Sequence, residues 1–302
     1  MLTDAFIKFL LLLPFIYSKL VAFSQEYAEG GEAPDWNYHD TNWGVNYSMC
    51  NGDRQSPINL ANSFSISAPL RPIYFGYYDV QLQPELVVFN NGRTVEMLVP
   101  VTTNGRRPFI TGGTMQSNFE AQNVHFHWGS PDVKGSEHSI NDRRFDAEMH
   151  IVHKNVLYAT LDEASKHRDG LAVLGVMLKI VNNAESDNPG LSQILDLLPN
   201  ITEFNSRATV NGPLRLGSVI ANLQTKNFFT YGGSLTTPTC AEAVIWTVFP
   251  NPLAVPFTQI QNFWNIMDEN GDYLLRNYRP LQNRNNRQVY YRRSSIFNLQ
   301  IL

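Results

Sequence analysis

Hydrophobic and polar residues alternate in the segment NVHFHW, at residues 123–128. Because successive side chains of a β-strand point to opposite faces, Asn123, His125 and His127 share one face of this segment. The opposite face carries Val124, Phe126 and Trp128. The alternation therefore predicts a β-strand with one apolar face and one face that presents two imidazoles.

The same period of two recurs in RRFDAEMHIVHKN, at residues 143–155. It places Glu148 and His150 on one face of a second strand, whereas His153 falls on the opposite face and is interpreted as structural. The 22 residues between His127 and His150 are enough for a turn and a return strand beside the first. Two such strands would bring three histidines together.

Other segments have strand patterns, and helical patterns are short. ELVVFNNGRTVEMLV (85–99) is interpreted as two strands around an Asn-Asn-Gly turn, and the apolar run LAVLGVMLKIV (171–181) as a buried strand. Helical spacing is confined to a few short pieces, of which two are interpreted as core stripes: Leu191, Ile194, Leu195 and Leu198 before Pro199, and Ile260, Phe263, Trp264 and Met267. These patterns predict a mainly β chain.

The composition is that of an ordinary globular protein, with 43% of the 302 residues hydrophobic and 17% charged. Length alone allows one large domain or two ordinary ones, and no repeat, low-complexity run or linker divides the chain, which favours one domain. The formal net charge of −4 argues against a nucleic-acid-binding protein. The six arginines between Arg276 and Arg293 are interpreted as a solvated face.

The first residues have the pattern of a secretory signal peptide at 1–24, because Lys8 precedes a short apolar run that ends in small residues. An uncleaved signal anchor is the alternative. We expect a loose segment at 25–34, a short tail at 296–302 and a secreted, extracellular mature protein. No later apolar segment is long enough for a membrane span, so we expect none in the mature chain.

Two further features agree with export. NYS at Asn46 and NIT at Asn200 are acceptor sequences for N-glycosylation. The cysteine count is even, so Cys50 and Cys240 can form one bridge in an oxidising compartment, with two free buried thiols as the alternative. Such a bridge would close a loop of about 190 residues and stabilise the fold by on the order of 5 kcal/mol.

The spacing of the histidines points to a metal. Two imidazoles at positions i and i+2 of a strand can present two neutral nitrogens to one zinc ion, and a third ligand is then required. His150 is the candidate. Glu148, on the same face, can accept a hydrogen bond from the outer N–H of a ligand, which fixes the tautomer of that ring. The alternative is that these histidines are hydrogen-bonded residues without a metal.

Seven short motifs occur in a fixed order along the chain: DRQSPINL, VHFHWGS, GSEHSI, AEMHIVHKN, GLAVLG, GGSLTTPTC and NYRPLQNR. Over residues 35–293 they resemble the α-class carbonic anhydrases. The resemblance implies one domain at 35–295, built on a large, twisted, mostly antiparallel sheet of about ten strands with short peripheral helices. It also implies a zinc site at the bottom of a cone-shaped cavity.

The resemblance implies an enzyme that hydrates carbon dioxide reversibly to bicarbonate and a proton, with zinc-bound hydroxide as the nucleophile. The implied zinc ligands are His125, His127 and His150. Thr236 matches the threonine that accepts the hydroxide proton and donates onward to a carboxylate, here Glu137. The outer hydrogen-bond partners of the three ligands are, in the same order, Asn123, the backbone of Asn277, and Glu148.

Other residues take roles through the same resemblance. The implied substrate pocket consists of Val152, Val173, Leu235, Thr237, Val244 and Trp246. Cys50 and Cys240 match the disulfide of the family's secreted members. Sulfonamides and small anions are expected as inhibitors.

One departure from the family pattern affects proton transfer. Where the family has a histidine that passes protons between the zinc site and solvent, this chain has Arg93. A guanidinium stays protonated near pH 7, so we expect hydration to persist while intramolecular proton export is slow. His39 is the one obvious substitute, and Arg93 as a plain surface charge or an anion-attracting group is the alternative. A secreted zinc-containing scaffold or matrix-binding protein with little turnover is the alternative function.

Overall fold

The computed structural model describes residues 36–182 and 188–294. The predicted signal peptide at 1–24, the segment at 25–34 and the tail at 296–302 lie outside these residues. From Asn37 onwards the described residues belong to one compact unit. None of the helices within the described ranges is both long and apolar enough to cross a membrane.

β-Strands dominate the described part of the chain. They are β1 Asn59–Leu60, β2 Ile66–Ser67, β3 Arg71–Gly76, β4 Val87–Asn90, β5 Val95–Leu98, β6 Phe109–Gly113, β7 Phe119–Trp128, β8 Ser139–Ile140, β9 Ala147–Asn155, β10 Leu171–Val181, β11 Arg207–Thr209, β12 Phe228–Gly233, β13 Val244–Pro256 and β14 Tyr290–Arg292. The α-helices of the same residues are α1 Leu161–Ser165, α2 Pro189–Leu195, α3 Leu216–Val219 and α4 Phe257–Ile260. The prediction of a mainly β fold with short helices is confirmed.

Twelve of these strands form one mixed sheet, in the order β11-β4-β5-β7-β9-β10-β13-β12-β14-β2, with β3 paired to β6 and β6 to β7. Among its described strand pairs, β10–β13 and β14–β2 are parallel and the others antiparallel. β1 and β8 form a separate parallel pair. The predicted large, mostly antiparallel sheet is therefore confirmed, with twelve strands where the resemblance implied about ten; several of the twelve, at or next to the edges of the sheet, have only two or three residues.

The segments with the clearest sequence patterns form central strands of the sheet. Residues 123–128 form the second half of β7, and residues 171–181 form β10, whose first eight residues are buried. The two strands predicted within 85–99 are β4 and β5, joined by a turn in which Gly92 has a φ of +80°. That left-handed conformation is open to glycine without steric cost. The first helical stripe begins in α2 and the second in α4, and a short 3-10 turn comes after each of these helices.

The centre of the sheet is a stiff frame because β9, β10 and β13 are buried along most of their lengths. β9 pairs with β7 on one side and with β10 on the other. Buried neighbouring strands hold their register tightly, since a slip by one residue would move every side chain to the other face. Side chains that project from this frame are therefore fixed relative to one another.

Candidate metal centre

Strand register places three histidines on one face of the sheet. His125 lies directly opposite His150 across the β7–β9 pair, and His127 lies opposite Glu148. Directly opposed residues of an antiparallel pair point to the same face, and His127 shares the face of His125 through the two-residue period of the strand. The ring centroids are 5.1 Å apart for His125 and His127, 5.2 Å for His125 and His150, and 4.5 Å for His127 and His150.

One nitrogen of each imidazole donates a hydrogen bond to an oxygen atom. The pairs are His125 Nδ1 with Asn123 Oδ1 at 2.9 Å, His127 Nδ1 with the carbonyl oxygen of Asn277 at 2.8 Å, and His150 Nε2 with Glu148 Oε1 at 2.8 Å. The other nitrogen of each ring then carries a lone pair. One nitrogen from each of the three rings lies within 4.8 Å of the other two, so a single ion can be shared.

Burial disfavours the protonated form of two of these imidazoles, and the neutral form is the one that binds a metal. Burial lowers the pKa of His125 well below its ordinary value, and the neighbouring His127 and His150 lower it further. Burial also lowers the pKa of His127, against the opposing effect of the Glu137 carboxylate. Nε2 of His127 is buried and has no hydrogen-bond partner among the described residues. Three imidazoles that each offer one nitrogen within reach of a single ion fit zinc in a site that keeps its fourth position open.

A carboxylate orients one of these histidines. Oε1 of Glu148 accepts hydrogen bonds from His150 Nε2 and His138 Nδ1, and Oε2 accepts from the backbone N–H of His138, all at 2.8 Å. Burial alone would raise the pKa of Glu148, but His138 and His150 hold it well below its usual range. These three residues also lie close enough to hold a metal ion, yet hydrogen bonds already occupy the atoms that face one another. Glu148 therefore acts on the orientation of His150.

The sequence pattern did not mark His138 as functional. Its Nε2 lies 2.7 Å from the hydroxyl of Tyr231, which lies 2.9 Å from Oγ of Ser56. His138 precedes the two-residue strand β8 in a segment without hydrophobic period, so only its place in the motif GSEHSI could have identified it. Gly175 is part of the same arrangement, because a Cβ there would lie 2.9 Å from Oε1 of Glu148.

The sequence pattern also did not identify Glu96 as a residue of the site. It lies directly opposite His125 across the β5–β7 pair, and so shares the face of the metal centre. Its Oε2 accepts a hydrogen bond from Nδ2 of Asn91 at 3.1 Å. Burial raises the pKa of Glu96 to about 7, although the bond from Asn91 opposes that rise. A carboxyl on an otherwise ordinary alternating strand gave no separate signal in the sequence.

Glu137 is fully buried beside the histidines. Its Oε1 accepts a hydrogen bond from the backbone N–H of Arg279 at 2.8 Å, and its Oε2 lies 3.6 Å from Nε2 of His127. Thr236 is buried in the loop after β12, but within the described residues its hydroxyl forms no hydrogen bond. The predicted bond from Thr236 to Glu137 therefore stays a prediction. Oε2 of Glu137, which has no hydrogen-bond partner in the described chain, is the acceptor that this bond requires.

The residues predicted to form the substrate pocket lie beside His150. Val152 follows two positions later on β9 and pairs with Val173, which pairs in turn with Trp246. The indole of Trp246 lies 4.9 Å from the ring of His150. We call this set the apolar wall; it comprises Val152, Val173, Val244 and Trp246, which are buried in one cluster, and Leu235, which packs against it. Thr237 lies in the loop after Leu235, where its carbonyl oxygen accepts from the backbone N–H of Cys240 at 2.7 Å.

Cys50 and Cys240 form a disulfide, which confirms the predicted bridge. It joins a 3-10 turn near the start of the described chain to the loop that carries Thr236 and Thr237. Arg279 reinforces the same junction, because its guanidinium donates to the carbonyl oxygens of Cys50 and Ser56 at 3.0 and 2.9 Å. Burial lowers the pKa of this guanidinium to about 10.

Arg93 lies in the turn between β4 and β5. Its guanidinium forms an ion pair with Glu269 at 3.5 Å, and the two side chains are 28% and 29% exposed. Its carbonyl oxygen accepts from Nδ2 of Asn277, the residue whose own carbonyl oxygen holds His127. His39 is exposed, and its backbone N–H donates to Oδ1 of Asn37.

Comparison with known proteins agrees with this geometry. The family model of the eukaryotic-type carbonic anhydrases matches residues 38–293. The chain is 35% identical over 272 residues to carbonic anhydrase 6 of Homo sapiens, covering 86% of this chain and 85% of that protein. It is 31% identical over 259 residues to carbonic anhydrase 7 of Mus musculus (82% and 93% covered) and 35% identical over 246 residues to carbonic anhydrase 4 of Mus musculus (80% and 76%). With its three-histidine centre, this chain belongs to the eukaryotic-type carbonic anhydrases, which are zinc enzymes.

Proposed function

We propose that this protein catalyses the reversible hydration of carbon dioxide to bicarbonate and a proton, with zinc held by His125, His127 and His150. When bound, zinc lowers the pKa of a coordinated water to about 7 and so supplies a hydroxide nucleophile at neutral pH. The observation that carries the proposal is the convergence of three imidazoles, each with its outer nitrogen hydrogen-bonded, next to an apolar wall.

The hydrogen bonds to the outer ring nitrogens fix the tautomer and orientation of the three histidines. Asn123, Asn277 and Glu148 each accept a hydrogen bond from the N–H of one ring nitrogen, and this leaves the lone pair of the other nitrogen facing the centre. Glu148 is a carboxylate while the other two acceptors are neutral amide oxygens, and the hydrogen bond that it accepts fixes the orientation of the His150 ring. His138 keeps this carboxylate in place from its far side.

Thr236 and Glu137 determine which nucleophile the site favours. Oε1 of Glu137 accepts a hydrogen bond from the N–H of Arg279, so the Thr236 hydroxyl donates its hydrogen bond to Oε2. The threonine oxygen can then only accept a hydrogen bond on the side of the metal centre. It therefore favours a nucleophile that carries a proton, and it directs that nucleophile's lone pair toward the substrate.

The apolar wall accounts for the substrate. Carbon dioxide has no net dipole and no hydrogen to donate, so apolar side chains can hold it without leaving polar groups unsatisfied. Val152 and Trp246 lie beside His150, which keeps such a molecule within reach of the nucleophile. Thr237 adds a polar group at the edge of this wall.

Export of the product proton is the step that this chain performs poorly. The guanidinium of Arg93 does not release its proton near pH 7. The guanidinium also forms an ion pair with Glu269, which offsets its positive charge. This ion pair argues against a strong role of Arg93 in attracting bicarbonate. The proton must then leave directly to buffer or through another group such as His39.

The test is a joint measurement of zinc content and stopped-flow carbon dioxide hydration on purified protein. One zinc per chain and hydration that rises through about pH 7 would support the proposal. Inhibition by an aromatic sulfonamide is expected as well. One zinc per chain without hydration would instead favour the alternative, a zinc-containing scaffold or matrix-binding protein.

We also infer that the protein is secreted and N-glycosylated. The disulfide supports this, and so does the exposure of both acceptor residues, Asn46 and Asn200. Expression in a secreting eukaryotic cell should release protein whose gel mobility increases after peptide N-glycosidase treatment. Asn46→Gln and Asn200→Gln should each remove part of that change. Retention inside the cell with free thiols would contradict the inference.

A further inference from the structure

A groove of about 790 Å³ lies away from the metal centre. Aromatic residues Tyr74, Tyr77 and Phe109 line it, together with the polar residues Asp79, Asn104 and Arg215. Phe109 pairs with Glu120 near the start of β7, five residues before His125. At about 3.4 Å per strand residue, that separation is about 17 Å. The groove and the metal centre are therefore separate sites.

The aromatic side chains of the groove are held in place although they face solvent. The ring of Phe109 lies 5.9 Å from that of Tyr74 and 5.7 Å from that of Tyr77. Tyr74 and Tyr77 are 61% and 37% exposed. Gly76 makes this packing possible, because a Cβ at that position would lie 2.1 Å from the Phe109 ring.

Tyr77 adopts a φ of +58°, a left-handed conformation that bulky residues rarely adopt. Hydrogen bonds of the next residue, Tyr78, hold the turn that contains Tyr77 in place. The backbone N–H of Gly217 donates to the carbonyl oxygen of Tyr78 at 2.7 Å, and the buried hydroxyl of Tyr78 lies 2.6 Å from Nε2 of His153. Such strain persists only where surrounding structure enforces it, and it is concentrated at functional sites.

The polar groups of the groove are available to a ligand. Asp79 and Arg215 have opposite charges, yet within the described residues neither side chain forms an ion pair or a hydrogen bond. Oδ1 of Asn104 accepts from Thr102 and Arg106, which leaves its NH₂ group as a donor. An anion would be repelled by Asp79 and a cation by Arg215. A neutral ligand with several hydroxyl groups can donate to the carboxylate and accept from the guanidinium at once.

From these observations we propose that the groove binds a neutral saccharide. The C–H faces of its sugar rings would lie against Tyr74 and Tyr77, and its hydroxyl groups would bind Asp79 and Arg215. The volume falls within the usual range of small-ligand sites. The proposal does not depend on the catalytic function.

Titration calorimetry and ligand-observed NMR with cellobiose, maltose and N,N′-diacetylchitobiose, each to about 20 mM, test the proposal. At least one probe should bind, with a dissociation constant in the millimolar range. Tyr74→Ala and Arg215→Ala should each weaken that binding about tenfold, whereas Tyr74→Phe, which keeps the ring, should retain most of it. Tyr273→Ala is the matched control, because Tyr273 is also exposed, at 58%, and is not among the groove residues.

Circular dichroism and melting temperature establish that each variant is folded before its binding is compared. Absence of binding by all three saccharides would overturn the proposal. So would an equal loss of binding in Tyr74→Ala and Tyr273→Ala. Binding of p-cresol without binding of any saccharide would show that the groove takes an aromatic side chain instead, and would also overturn it.

Discussion

Nε2 of His127 lies 3.6 Å from Oε2 of Glu137, and both atoms are buried without a hydrogen-bond partner in the described chain. A buried polar group left in this state costs about 1–3 kcal/mol. A metal on His127 would satisfy the first atom, and the Thr236 hydroxyl the second. Metal binding and the stability of the fold are therefore coupled at this pair.

Removal of zinc with a chelator should lower the melting temperature of the wild-type protein. A ligand that binds only the native state stabilises it by about 4 kcal/mol at a thousand times its dissociation constant. His127→Ala should lose zinc and activity together, remain folded by circular dichroism, and show no melting shift on zinc addition. The exposed His167→Ala is the control and should respond as wild type does. Wild-type activity in metal-free protein would refute the assignment.

Glu148→Gln should weaken zinc binding without unfolding the chain. The amide of glutamine has one acceptor oxygen, whereas the carboxylate accepts from His150 and twice from His138. Loss of such an outer partner usually reduces metal affinity about 10- to 100-fold. Competition with a chromophoric chelator measures this change, with the exposed Glu163→Gln as the matched control. Equal affinities in the two variants would mean that Glu148 does not act on the metal.

Arg93→His should raise kcat several-fold in dilute buffer and leave kcat/KM nearly unchanged. Histidine restores a group whose ordinary pKa of about 6.5 suits proton transfer near neutral pH, whereas kcat/KM depends on the hydration step. Stopped-flow hydration at increasing concentrations of an imidazole buffer measures both constants. Wild-type kcat should climb steeply with buffer concentration.

Arg93→Lys is the control for the proton-transfer prediction, because it keeps the positive charge and does not titrate near pH 7. If wild-type turnover is independent of buffer and Arg93→His changes nothing, another group exports the proton. His39→Ala would then show whether that group is His39.

His153 should make the metal-free protein sensitive to acid. It is fully buried, and burial lowers its pKa to about 3, below the value of about 6.5 expected in the unfolded chain. The unfolded chain therefore binds the proton first, so stability is intact above about pH 6.5 and is lost by up to about 1.4 kcal/mol per pH unit as pH falls toward 3.

Urea unfolding of metal-free protein at pH 7 and pH 4.5 measures this effect. His153→Gln cannot titrate, so it should lose about 2–3 kcal/mol less than wild type over that interval. The exposed His167→Gln should lose as much as wild type. An identical loss in His153→Gln would show that other groups cause the acid sensitivity.

The parts of the structure that could be predicted from the sequence are those with a local pattern. β7, β9 and β10 combine period-two or continuous apolar runs with central positions in the sheet, so His125, His127 and His150 could be placed on one face. His138 and Arg279 had no such pattern, because their roles depend on partners in other elements of the fold: Glu148 and Tyr231 for His138, and Gln55, Ser56 and Cys50 for Arg279.

The shortest strands and the ion pair of Arg93 also lacked a local sequence pattern. β2, β11 and β14 have two or three residues each, which is too few to show alternation. The substitution at position 93 was visible in the sequence, but its ion pair with Glu269 joins two turns whose proximity only the folded chain determines.

The contacts of Arg279 affect the order in which the protein can be assembled. Its guanidinium binds the carbonyl oxygens of Ser56 and Cys50, which lie 223 and 229 positions earlier, and its N–H binds Glu137. During synthesis all three histidines of the candidate metal centre leave the ribosome well before Arg279 does. A growing chain can therefore present the three histidines while Glu137 still lacks its N–H donor. Completion of the centre must follow release of nearly the whole chain, because the donor to Glu137 comes from residue 279.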